Sequence, residues 1–296
     1  MSWAIDQLPD LSGRVALVTG ANSGIGEPTA QALGASGARV YLACRSEEKA
    51  QAALARMRHA VPGGLFHFIH LDLADLSSVK ACSERFLEQQ SQLDLLINNA
   101  GVMIPPYTQT KDGFELQFGT NHLGHFALTA HLIDVITATP KSRVVTVSSM
   151  AHRFGRLRFN DLQRTRGYNR WLTYGQSKVA NLVFSYELQR RLETAGHETL
   201  AIAAHPGWAR TNLTTFSRSI DWIAPLLAQN AIAGAAPTIR AATDPNANAG
   251  SYYGPRWFEI RGPAVKVGST RYSRRLDIAE RLWSVSEELT GTHLLN

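Results

Sequence analysis

Residues 14–26 read Arg-Val-Ala-Leu-Val-Thr-Gly-Ala-Asn-Ser-Gly-Ile-Gly, an apolar run that leads directly into a loop with three glycines. The run predicts a buried β-strand over 14–20, and a helix is expected over 24–35. Glycines at such a turn let the chain bend sharply and let a pyrophosphate approach the amides of the helix N-terminus. The residues predicted to form this phosphate cradle are Gly20, Asn22, Ser23, Gly24, Ile25 and Gly26.

The alternation of short apolar runs and longer helical stretches continues along the chain. This pattern is typical of parallel strands joined by crossover helices. We therefore predict a doubly wound, Rossmann-type α/β fold, a mostly parallel sheet of about seven strands within a single domain, 1–296. The predicted strands are 14–20, 39–45, 65–73, 93–101, 143–149, 199–207 and 250–254. The predicted helices are 24–35, 47–59, 76–90, 119–136, 172–193 and 231–243.

Two segments interrupt the alternation after the sixth predicted strand. Residues 208–230 are rich in bulky apolar side chains, and residues 255–296 end in a helical pattern from 273 to 288. Ligands of doubly wound sheets bind outside the carboxyl ends of the strands. We therefore predict a lid over the substrate at 208–230 and a C-terminal cover at 255–296, rather than a second domain. A permanently packed cover is the alternative for 208–230.

The composition is that of a globular protein with a basic balance: 296 residues, 44% hydrophobic, 18% charged, with a net charge of +6. Such a charge favours anionic partners, and nucleic acid is one of them. The arginines are spread along the chain, however, and the one cluster, 153–170, has the pattern of a solvated loop. A phosphate-bearing cofactor needs only one or two well-placed cations, so no nucleic-acid partner is expected.

The chain has two cysteines, Cys44 and Cys82, which argues against a disulfide framework or a cysteine-rich zinc site. Residues 1–10 lack the pattern of a secretory signal. No apolar run approaches the roughly 20 residues that a membrane span needs. We expect a cytoplasmic protein without stable membrane insertion, and the sequence leaves open whether it forms a homo-oligomer.

The end of the second predicted strand indicates which dinucleotide is bound. An acid about 20 residues after the glycines normally holds the ribose 2′-hydroxyl of NAD, whereas a nearby arginine accommodates the 2′-phosphate of NADP. Here the strand ends Leu-Ala-Cys-Arg-Ser at 42–46, with Cys44 in the place of the acid and Arg45 directly after it. A guanidinium fork suits phosphate, so the sequence predicts NADP; an ordinary exposed arginine is the alternative.

A tyrosine, a lysine and a serine are candidates for proton transfer. Tyr174 and Lys178 lie four residues apart on a predicted helix, hence on one face, and the preceding strand ends in Ser148-Ser149. A phenol with a pKa near 10 exchanges protons poorly at neutral pH, and a nearby ammonium lowers that pKa. Ser149 is expected to hydrogen-bond the substrate oxygen. Each residue taken alone is equally consistent with a buried hydrogen-bonding group, which we expect Ser148 to be.

Together these motifs resemble the short-chain dehydrogenase/reductase family. The family pattern Thr-Gly-x-x-x-Gly-x-Gly matches 19–26, Asn-Asn-Ala-Gly matches 98–101, Tyr-x-x-x-Lys matches 174–178 and Pro-Gly matches 206–207. Their order and their places on the predicted elements extend the resemblance over nearly the whole chain. It implies an NAD(P)-binding sheet and an oxidoreductase that transfers a hydride between nicotinamide and a carbonyl or alcohol, with Tyr174 as proton donor.

The resemblance also implies roles for single residues. Asp72 and Leu73 are expected near the adenine, and Asn98 is expected to brace the sheet. Asn121 matches the family asparagine that anchors a water relay to the lysine, and Lys178 is expected to bond the nicotinamide ribose as well. Further cofactor contacts are expected at Asn99, Ala100, Gly101, Tyr174, Pro206 and Gly207.

One departure from the family pattern follows the last glycine. Glu27 and Pro28 place an anion and an imino acid at the start of the helix. Proline is tolerated there because the first amides of a helix lack intrahelical partners in any case. Glu27 would repel a phosphate if it faced the loop, and we expect it to face solvent instead.

Within the family, the chain resembles the retinol dehydrogenase-like branch and its bacterial relatives. Ser149 and Tyr174 are 25 positions apart, a longer spacing than many family members show. Phe-Asn-Asp-Leu-Gln at 159–163, Ala-Cys-Arg at 43–45 and the stretch 281–287 also resemble that branch. The branch acts on apolar aldehydes, ketones and alcohols, mostly with NADPH, so the resemblance implies a lipophilic small-molecule substrate.

Two other functions fit parts of the pattern. Light-dependent protochlorophyllide reductases share much of it, and likeness of fold does not separate them from this chain. A non-catalytic NADP-binding regulator is the second, although such a protein would be expected to lose the tyrosine or the lysine.

The histidines predict no metal site, because no carboxylate or cysteine joins them at ligand spacing. The three considered are His122, His125 and His131, of which His125 is expected to be a core or surface residue.

Overall fold

In the computed structural model the described residues are 8–208 and 230–295, and their strands form one sheet. The strands are β1 (Val15–Thr19), β2 (Arg39–Cys44), β3 (Leu65–His70), β4 (Leu95–Asn98), β5 (Arg143–Val147), β6 (Leu200–Ala204), β7 (Tyr252–Trp257) and β8 (Arg261–Lys266). The described helices are α1 (Gly26–Ala35), α2 (Glu47–Ala60), α3 (Leu76–Gln89), α4 (Leu116–Phe118), α5 (Gly124–Ala138), α6 (Arg170–Thr194), α7 (Ala231–Thr243) and α8 (Leu276–Thr290). A π-helical turn, Gly119–Leu123, joins α4 to α5, and a 3₁₀ turn, Met150–Arg153, follows β5.

The strand order is β3-β2-β1-β4-β5-β6-β7-β8, and neighbouring strands are parallel except for β7 and β8. The order reverses between β1 and β4, and ligands of doubly wound sheets bind at the carboxyl ends of the strands at such a point. The predicted Rossmann-type fold is confirmed, with eight described strands rather than about seven. The additional strand, Arg261–Lys266, reads Arg-Gly-Pro-Ala-Val-Lys. It lacks a continuous apolar run because an edge strand is not buried on both faces.

Helices on both faces of the sheet explain the continuous apolar strands. In β1, Val15 and Leu17 enter a core shared with α3, α5 and α6, whereas Ala16 and Val18 enter a core shared with α1 and α2. A strand covered in this way has no solvent-facing side, so its side chains do not alternate between apolar and polar. Polar residues for chemistry are therefore available chiefly where the strands end.

The helix that carries the candidate tyrosine and lysine, α6, is held at its start and along one side. Asn169 caps it, because the Asn169 side chain accepts hydrogen bonds from two backbone amides of the first turn at 3.1 and 3.0 Å. This cap sets the start at Arg170, two residues before the predicted one. α8 packs on α6, with the ring of Trp283 stacked on Phe184 at 5.9 Å between centroids.

The two predicted covers after β6 differ in what the structure describes. The predicted lid, 208–230, lies outside the described residues except for its two ends, so the lid stays a prediction. In the segment 255–296, β8 extends the sheet as an antiparallel edge strand, and α8 packs against α5 and α6. The tail thus contributes to the sheet as well as to the helical layer.

Three chemical features of the described part concern membranes, metals and thiols. Over 8–208 and 230–295, no helix is long and apolar enough to cross a membrane. Within the same ranges, no group of three or more His, Cys, Asp or Glu side chains is arranged to hold a metal ion. Cys44 and Cys82 are buried free thiols.

Candidate active site

The glycine loop after β1 is shaped for the close approach of an anion. Gly20 and Gly24 have φ angles of +65° and +60°, in the left-handed region that residues with side chains rarely adopt. A Cβ atom on Gly26 would lie 2.4 Å from the carbonyl oxygen of Gly20, so a larger residue does not fit. Ile25, which precedes α1, provides no side-chain cap, and this leaves the first amides of α1 for a ligand. The loop therefore fits the pyrophosphate of a dinucleotide.

Thr19 joins the glycine loop to the loop after β4. The Thr19 hydroxyl accepts hydrogen bonds from the backbone amides of Asn99 and Ala100, both at 2.9 Å. The Asn99 side chain donates in return to the Thr19 carbonyl at 2.8 Å. Asn98, by contrast, turns into the core and donates to the Thr129 hydroxyl at 3.1 Å. The predicted cofactor residues after β4 thus lie beside the glycine loop, while Asn98 ties the sheet to α5.

The ends of β2 and β3 bring together a thiol, a guanidinium and a carboxylate. Burial raises the pKa of Cys44 to about 11, although the amides of Ala21 and Asn22 that bond the sulfur oppose this shift. The thiol is therefore neutral at physiological pH. The side chain of Arg45 is 72% exposed, and its Nη1 atom lies 4.0 Å from Asp72 Oδ2. The exposed guanidinium of Arg45 thus lies at the end of β2, next to the uncharged thiol of Cys44.

The segment after β3 is held firmly against its neighbours. The Asp72 carboxylate accepts a hydrogen bond from the backbone amide of Ala74 at 3.0 Å. A Cβ atom on Gly124 would lie 2.5 Å from the carbonyl oxygen of Leu73, so this segment packs directly on the start of α5. Asp72 and Leu73, predicted beside the adenine, are therefore fixed at the carboxyl edge of the sheet.

Glu27 does not act as an open anion at the phosphate cradle. Its carboxylate forms a two-pronged ion pair with Arg56 of α2 at 2.7 and 2.8 Å. The Glu27 side chain is 22% exposed, so it is partly buried against α2 rather than solvent-facing as expected. The arginine neutralises its charge, and the start of α1 stays favourable to an anion.

Tyr174, Lys178 and Ser149 meet at the carboxyl end of β5. Lys178 Nζ lies 5.8 Å from the centroid of the Tyr174 ring and donates to the Val147 carbonyl at 3.2 Å. Burial raises the pKa of Tyr174 to about 12, and its hydrogen bond with Ser149 opposes this shift. Burial therefore outweighs the lowering of this pKa that the sequence predicts from the neighbouring lysine. Burial also lowers the pKa of Lys178 to about 8. Ser148 donates to the backbone carbonyl of Lys178 at 2.7 Å and so ties α6 to β5.

Asn121 lies in the π-helical turn, close to Gly101. A Cβ atom on Gly101 would lie 3.0 Å from Asn121 Oδ1 and 3.4 Å from Lys178 Nζ, so the two side chains flank this glycine. Asn121 Oδ1 accepts from the amide of Val102 at 2.7 Å, and Nδ2 donates to the Val102 carbonyl at 2.9 Å. The Asn121 side chain therefore holds the loop after β4.

Two histidines that the sequence does not assign to the site make contact with it. His125 Nε2 lies 2.9 Å from Thr19 Oγ1, and His125 Nδ1 lies 2.9 Å from the carbonyl oxygen of Asn121. His152 Nδ1 lies 2.7 Å from the carbonyl oxygen of Ser149. The spacing of Asn121 and His125, four residues apart on one helical face, is a signal for the first contact. The contact between His152 and Ser149 lies within a 3₁₀ turn, which no periodic sequence pattern predicts.

The loop after β6, which contains the predicted Pro-Gly pair, packs against the β7–β8 hairpin. Gly207 has a φ angle of +67°, and a Cβ atom there would lie 2.4 Å from the carbonyl oxygen of Ile260. His205 Nε2 lies 3.3 Å from Glu259 Oε2, and Glu259 also pairs with Arg153. The hairpin therefore holds this loop close to the 3₁₀ turn that follows β5.

The arginine cluster 153–170 is only partly solvated. Arg164 is 4% exposed, and its guanidinium donates to the Arg156 carbonyl at 3.4 Å. Arg153 is paired with Glu259, although its side chain is 45% exposed. The prediction of a solvated basic loop is wrong for Arg164, which the fold buries. The other arginines of the cluster are exposed: Arg153, Arg156, Arg158, Arg166 and Arg170.

Apolar side chains border the candidate proton donor. Met103, Ile104 and Ala151 pack in one cluster with the ring of Tyr174. The exposed ring of Phe154 lies against α6, since a Cβ atom on Gly175 would be 2.8 Å from it. Such a wall beside a few polar groups is typical of a pocket that buries the apolar part of a small ligand.

Comparisons with known proteins show the family of this chain. The sequence profile of the short chain dehydrogenase family matches residues 14–221. The chain belongs to this family. Mouse retinol dehydrogenase 11 is 41% identical over 290 residues, which cover 95% of this chain and 87% of the relative. Human retinol dehydrogenase 12 is 40% identical over 286 residues, with the same coverage of both chains.

Solved structures show the same fold. A protein from Mycobacterium paratuberculosis is 45% identical, with a TM-score of 0.84 and 99% of both chains covered. A short chain dehydrogenase from Shigella flexneri in complex with NADP is 22% identical, with a TM-score of 0.68, 83% of this chain and 98% of that chain covered. As a member of the family that is similar to retinol dehydrogenases, this short-chain dehydrogenase is an oxidoreductase that acts on CH–OH groups with a nicotinamide cofactor.

Proposed function

We propose that this short-chain dehydrogenase transfers a hydride between NADP(H) and a lipophilic aldehyde or ketone, or the corresponding alcohol. The observation that carries the proposal is the meeting of Ser149, Tyr174 and Lys178 beside an apolar wall at the carboxyl end of β5. The nicotinamide, when bound, supplies or accepts the hydride. The proposed catalytic residues are Asn121, Ser149, Tyr174 and Lys178.

Tyr174 is the proposed proton donor. Because burial raises its pKa to about 12, the phenol is protonated at neutral pH, which is the form that reduction of a carbonyl needs. The Tyr174 hydroxyl donates to the substrate oxygen, and the Ser149 hydroxyl hydrogen-bonds the same oxygen and stabilises its developing charge. Oxidation of an alcohol needs the phenolate instead, and the ammonium of Lys178 favours that form.

Asn121 and Lys178 are proposed to return the proton to Tyr174. They flank Gly101, and the Lys178 ammonium donates to the end of β5. The Asn121 side chain is engaged by Val102, so its backbone carbonyl is the group that would join the hydrogen-bond relay that the family resemblance implies. Lys178, with a pKa of about 8, holds or releases a proton near physiological pH, as a relay requires.

The proposed preference for NADP(H) rests on the tip of β2. The neutral Cys44 thiol stands where NAD-dependent relatives of this fold carry a carboxylate, so it does not repel a 2′-phosphate. The exposed guanidinium of Arg45 follows directly, and a guanidinium fork binds phosphate in a bidentate manner. Asp72, with an oxygen 4.0 Å from Arg45, is close enough to orient the arginine.

Replacing Arg45 with alanine is expected to weaken NADPH binding by about tens of fold, because one charge-assisted contact to phosphate contributes roughly 1.5–3 kcal/mol. NADH, which lacks the phosphate, should lose much less affinity. Fluorescence titration with both nucleotides measures the difference. Arg85→Ala removes an exposed cation from α3 and is the matched control, expected to leave both affinities unchanged. An equal loss for the two nucleotides, or tighter binding of NADH by the wild type, would contradict the proposal.

The proposed lipophilic substrate is supported by the side chains around the proton donor. Met103, Ile104 and Ala151 form apolar surroundings for the Tyr174 ring, and Met103 is the partly exposed one of the three. The relatives at 41% and 40% identity are named for retinol, an apolar alcohol. Both observations favour a carbonyl or alcohol group carried on an apolar body.

A screen of NADPH oxidation against aldehydes, ketones, quinones and steroids tests the proposed function. With straight-chain aldehydes of increasing length, kcat/KM should rise by up to about fourfold per buried methylene, since each contributes about 0.8 kcal/mol. Light-dependent reduction of protochlorophyllide, run as a separate arm, would instead support a protochlorophyllide-reductase-like enzyme. Binding of NADPH without hydride transfer to any carbonyl would contradict the proposal and favour a regulator.

We also propose that the protein works in the cytoplasm on small-molecule substrates. Its two cysteines are buried free thiols, which suits a reducing compartment. Fractionation of cells that express the full chain tests the location. Size-exclusion chromatography with light scattering would show whether the protein forms a homo-oligomer.

A further inference from the structure

His125 connects two parts of the site that the proposed chemistry uses separately. Its Nε2 atom lies 2.9 Å from the hydroxyl of Thr19, which holds the cofactor loop after β4 through the amides of Asn99 and Ala100. Its Nδ1 atom lies 2.9 Å from the carbonyl oxygen of Asn121, whose side chain flanks Gly101 together with Lys178. A single ring therefore spans from the nucleotide side to the proton-transfer side.

The hydrogen bonds of Thr19 show which ring nitrogen carries the proton. The Thr19 hydroxyl accepts from two loop amides at 2.9 Å each, which fills its two lone pairs. Its one hydrogen is then donated to His125 Nε2 at 2.9 Å, in preference to the Ile97 carbonyl at 3.3 Å. Nε2 is thus an acceptor, and Nδ1 carries the proton and donates it to the Asn121 carbonyl, which can only accept.

The His125 ring keeps this arrangement around neutral pH. The residue is 1% exposed, and burial lowers its pKa to about 4. The hydrogen bond with Asn121 opposes this shift, and the nearby charge of Lys178 adds to it. A second N–H on the ring would also face the Thr19 hydroxyl, whose lone pairs are filled. His125 is therefore a fixed donor on one side and a fixed acceptor on the other.

We propose that His125 is a positioning residue. It fixes the Asn121 carbonyl relative to the cofactor loop, which is the loop after β4 with Asn99 and Ala100. The inference rests on the proposed function, which assigns the loop to the nucleotide and the carbonyl to proton transfer. A carbonyl oxygen has two acceptor positions. The Nδ1–H of His125 occupies one of them and so holds the Asn121 peptide group in place. At Nε2, the same ring fixes the Thr19 hydroxyl so that its lone pairs face the loop amides.

Asparagine and glutamine at position 125 each keep one half of these contacts. The side-chain nitrogen of asparagine takes the position of Nδ1, so His125→Asn keeps the donor to Asn121 and loses the contact with Thr19. The terminal amide of glutamine reaches the position of Nε2, so His125→Gln keeps an acceptor for Thr19 and loses the donor to Asn121. The pair of variants therefore separates the two roles.

We expect one variant to change chiefly kcat and the other to change chiefly the Kd for NADPH. His125→Gln should lower kcat by about five- to tenfold and change the Kd for NADPH by less than about twofold. His125→Asn should raise that Kd by about five- to tenfold and change kcat by less than about twofold. Fluorescence titration gives the Kd, and the most active carbonyl of the screen gives kcat.

His122 offers a matched control. It is 1% exposed, one helical turn earlier, but its Nε2 atom lies 2.9 Å from the Ser286 hydroxyl of α8, away from the site. His122→Asn and His122→Gln should lower stability to urea and leave kcat and Kd unchanged. If both variants of His125 change kcat and Kd by the same factor, or if the variants of His122 reproduce these separate effects, the positioning role is overturned.

A spectroscopic measurement tests the inference without turnover. The ¹⁵N resonances of the His125 ring should show a protonated Nδ1 and an unprotonated Nε2 from about pH 6 to 8. A protonated Nε2, or titration of the ring in that range, would overturn the proposal. If the wild type transfers no hydride to any carbonyl, the proposed function fails. The ring spectrum and the Kd of His125→Asn would still decide whether His125 positions the cofactor loop.

Discussion

Replacing Tyr174 with phenylalanine is expected to lower the turnover of any carbonyl substrate by about 10²–10⁴-fold, because the change removes the proton donor. The fold and NADPH binding should persist. The ring, which is 8% exposed, keeps its contacts with Met103, Ile104 and Ala151. The loss of the hydrogen bond with Ser149 costs about 1 kcal/mol of stability. Steady-state NADPH oxidation measures the turnover, and urea unfolding and nucleotide titration check the fold and the binding.

Tyr186→Phe is the matched control for this prediction. Tyr186 lies on the same helix, and its hydroxyl donates to the Ser269 side chain at 2.9 Å, outside the site. Its substitution should reduce stability slightly and leave turnover unchanged. A folded Tyr174→Phe protein that binds NADPH and turns over at the wild-type rate would show that another group donates the proton.

Replacing Gly26 with alanine is expected to weaken NADPH binding by about 10²-fold, through distortion of the phosphate cradle. The added Cβ atom would lie 2.4 Å from the Gly20 carbonyl oxygen and 2.6 Å from Asn99 Nδ2. Neither neighbour can yield, because the first is backbone and the second is bonded to the Thr19 carbonyl at 2.8 Å. The free energy of unfolding should also fall by about 1–3 kcal/mol, as for other overpacked sites. Nucleotide titration and urea unfolding measure the two effects.

Gly268→Ala controls for the intrinsic effect of the substitution. A Cβ atom on Gly268 would meet no heavy atom within 4 Å, so this variant should bind NADPH and unfold like the wild type. Wild-type affinity in Gly26→Ala would mean that the glycine loop tolerates a shift, and that its close packing is not needed for the nucleotide.

The fold is largely predictable from the sequence because its signals are local. The apolar run of β1 and the glycines that follow it occupy consecutive positions, and β1 is buried on both faces as the run predicts. The eighth strand, Arg261–Lys266, is the exception. It exists because β7 offers a free edge for antiparallel pairing, and that partner is a property of the assembled sheet rather than of the six residues.

The candidate site is predictable to the extent that motifs specify it. Tyr174 and Lys178 are spaced for one helical face, and the structure places them beside Ser149. The helix start is less predictable, since the cap by Asn169 determines it. His125 is absent from the predicted site because its partner Thr19 becomes a neighbour only when β1 and α5 pack together. His152 is absent because its contact with Ser149, three residues earlier, lies in a 3₁₀ turn without a periodic sequence pattern.

Residue pattern and spacing thus suffice for the doubly wound sheet, the phosphate cradle and the tyrosine–lysine pair, since strand burial, glycine turns and helical periodicity are short-range properties. Packing decides the rest. The pKa of Tyr174 rises to about 12 because the folded chain buries it, and the charge of Glu27 is neutralised because α2 brings Arg56 to it. The proton of His125 is assigned to Nδ1 because two amides of the loop after β4 fill the lone pairs of Thr19 in β1. Such states depend on groups far apart in the chain, whose distances only the folded protein sets.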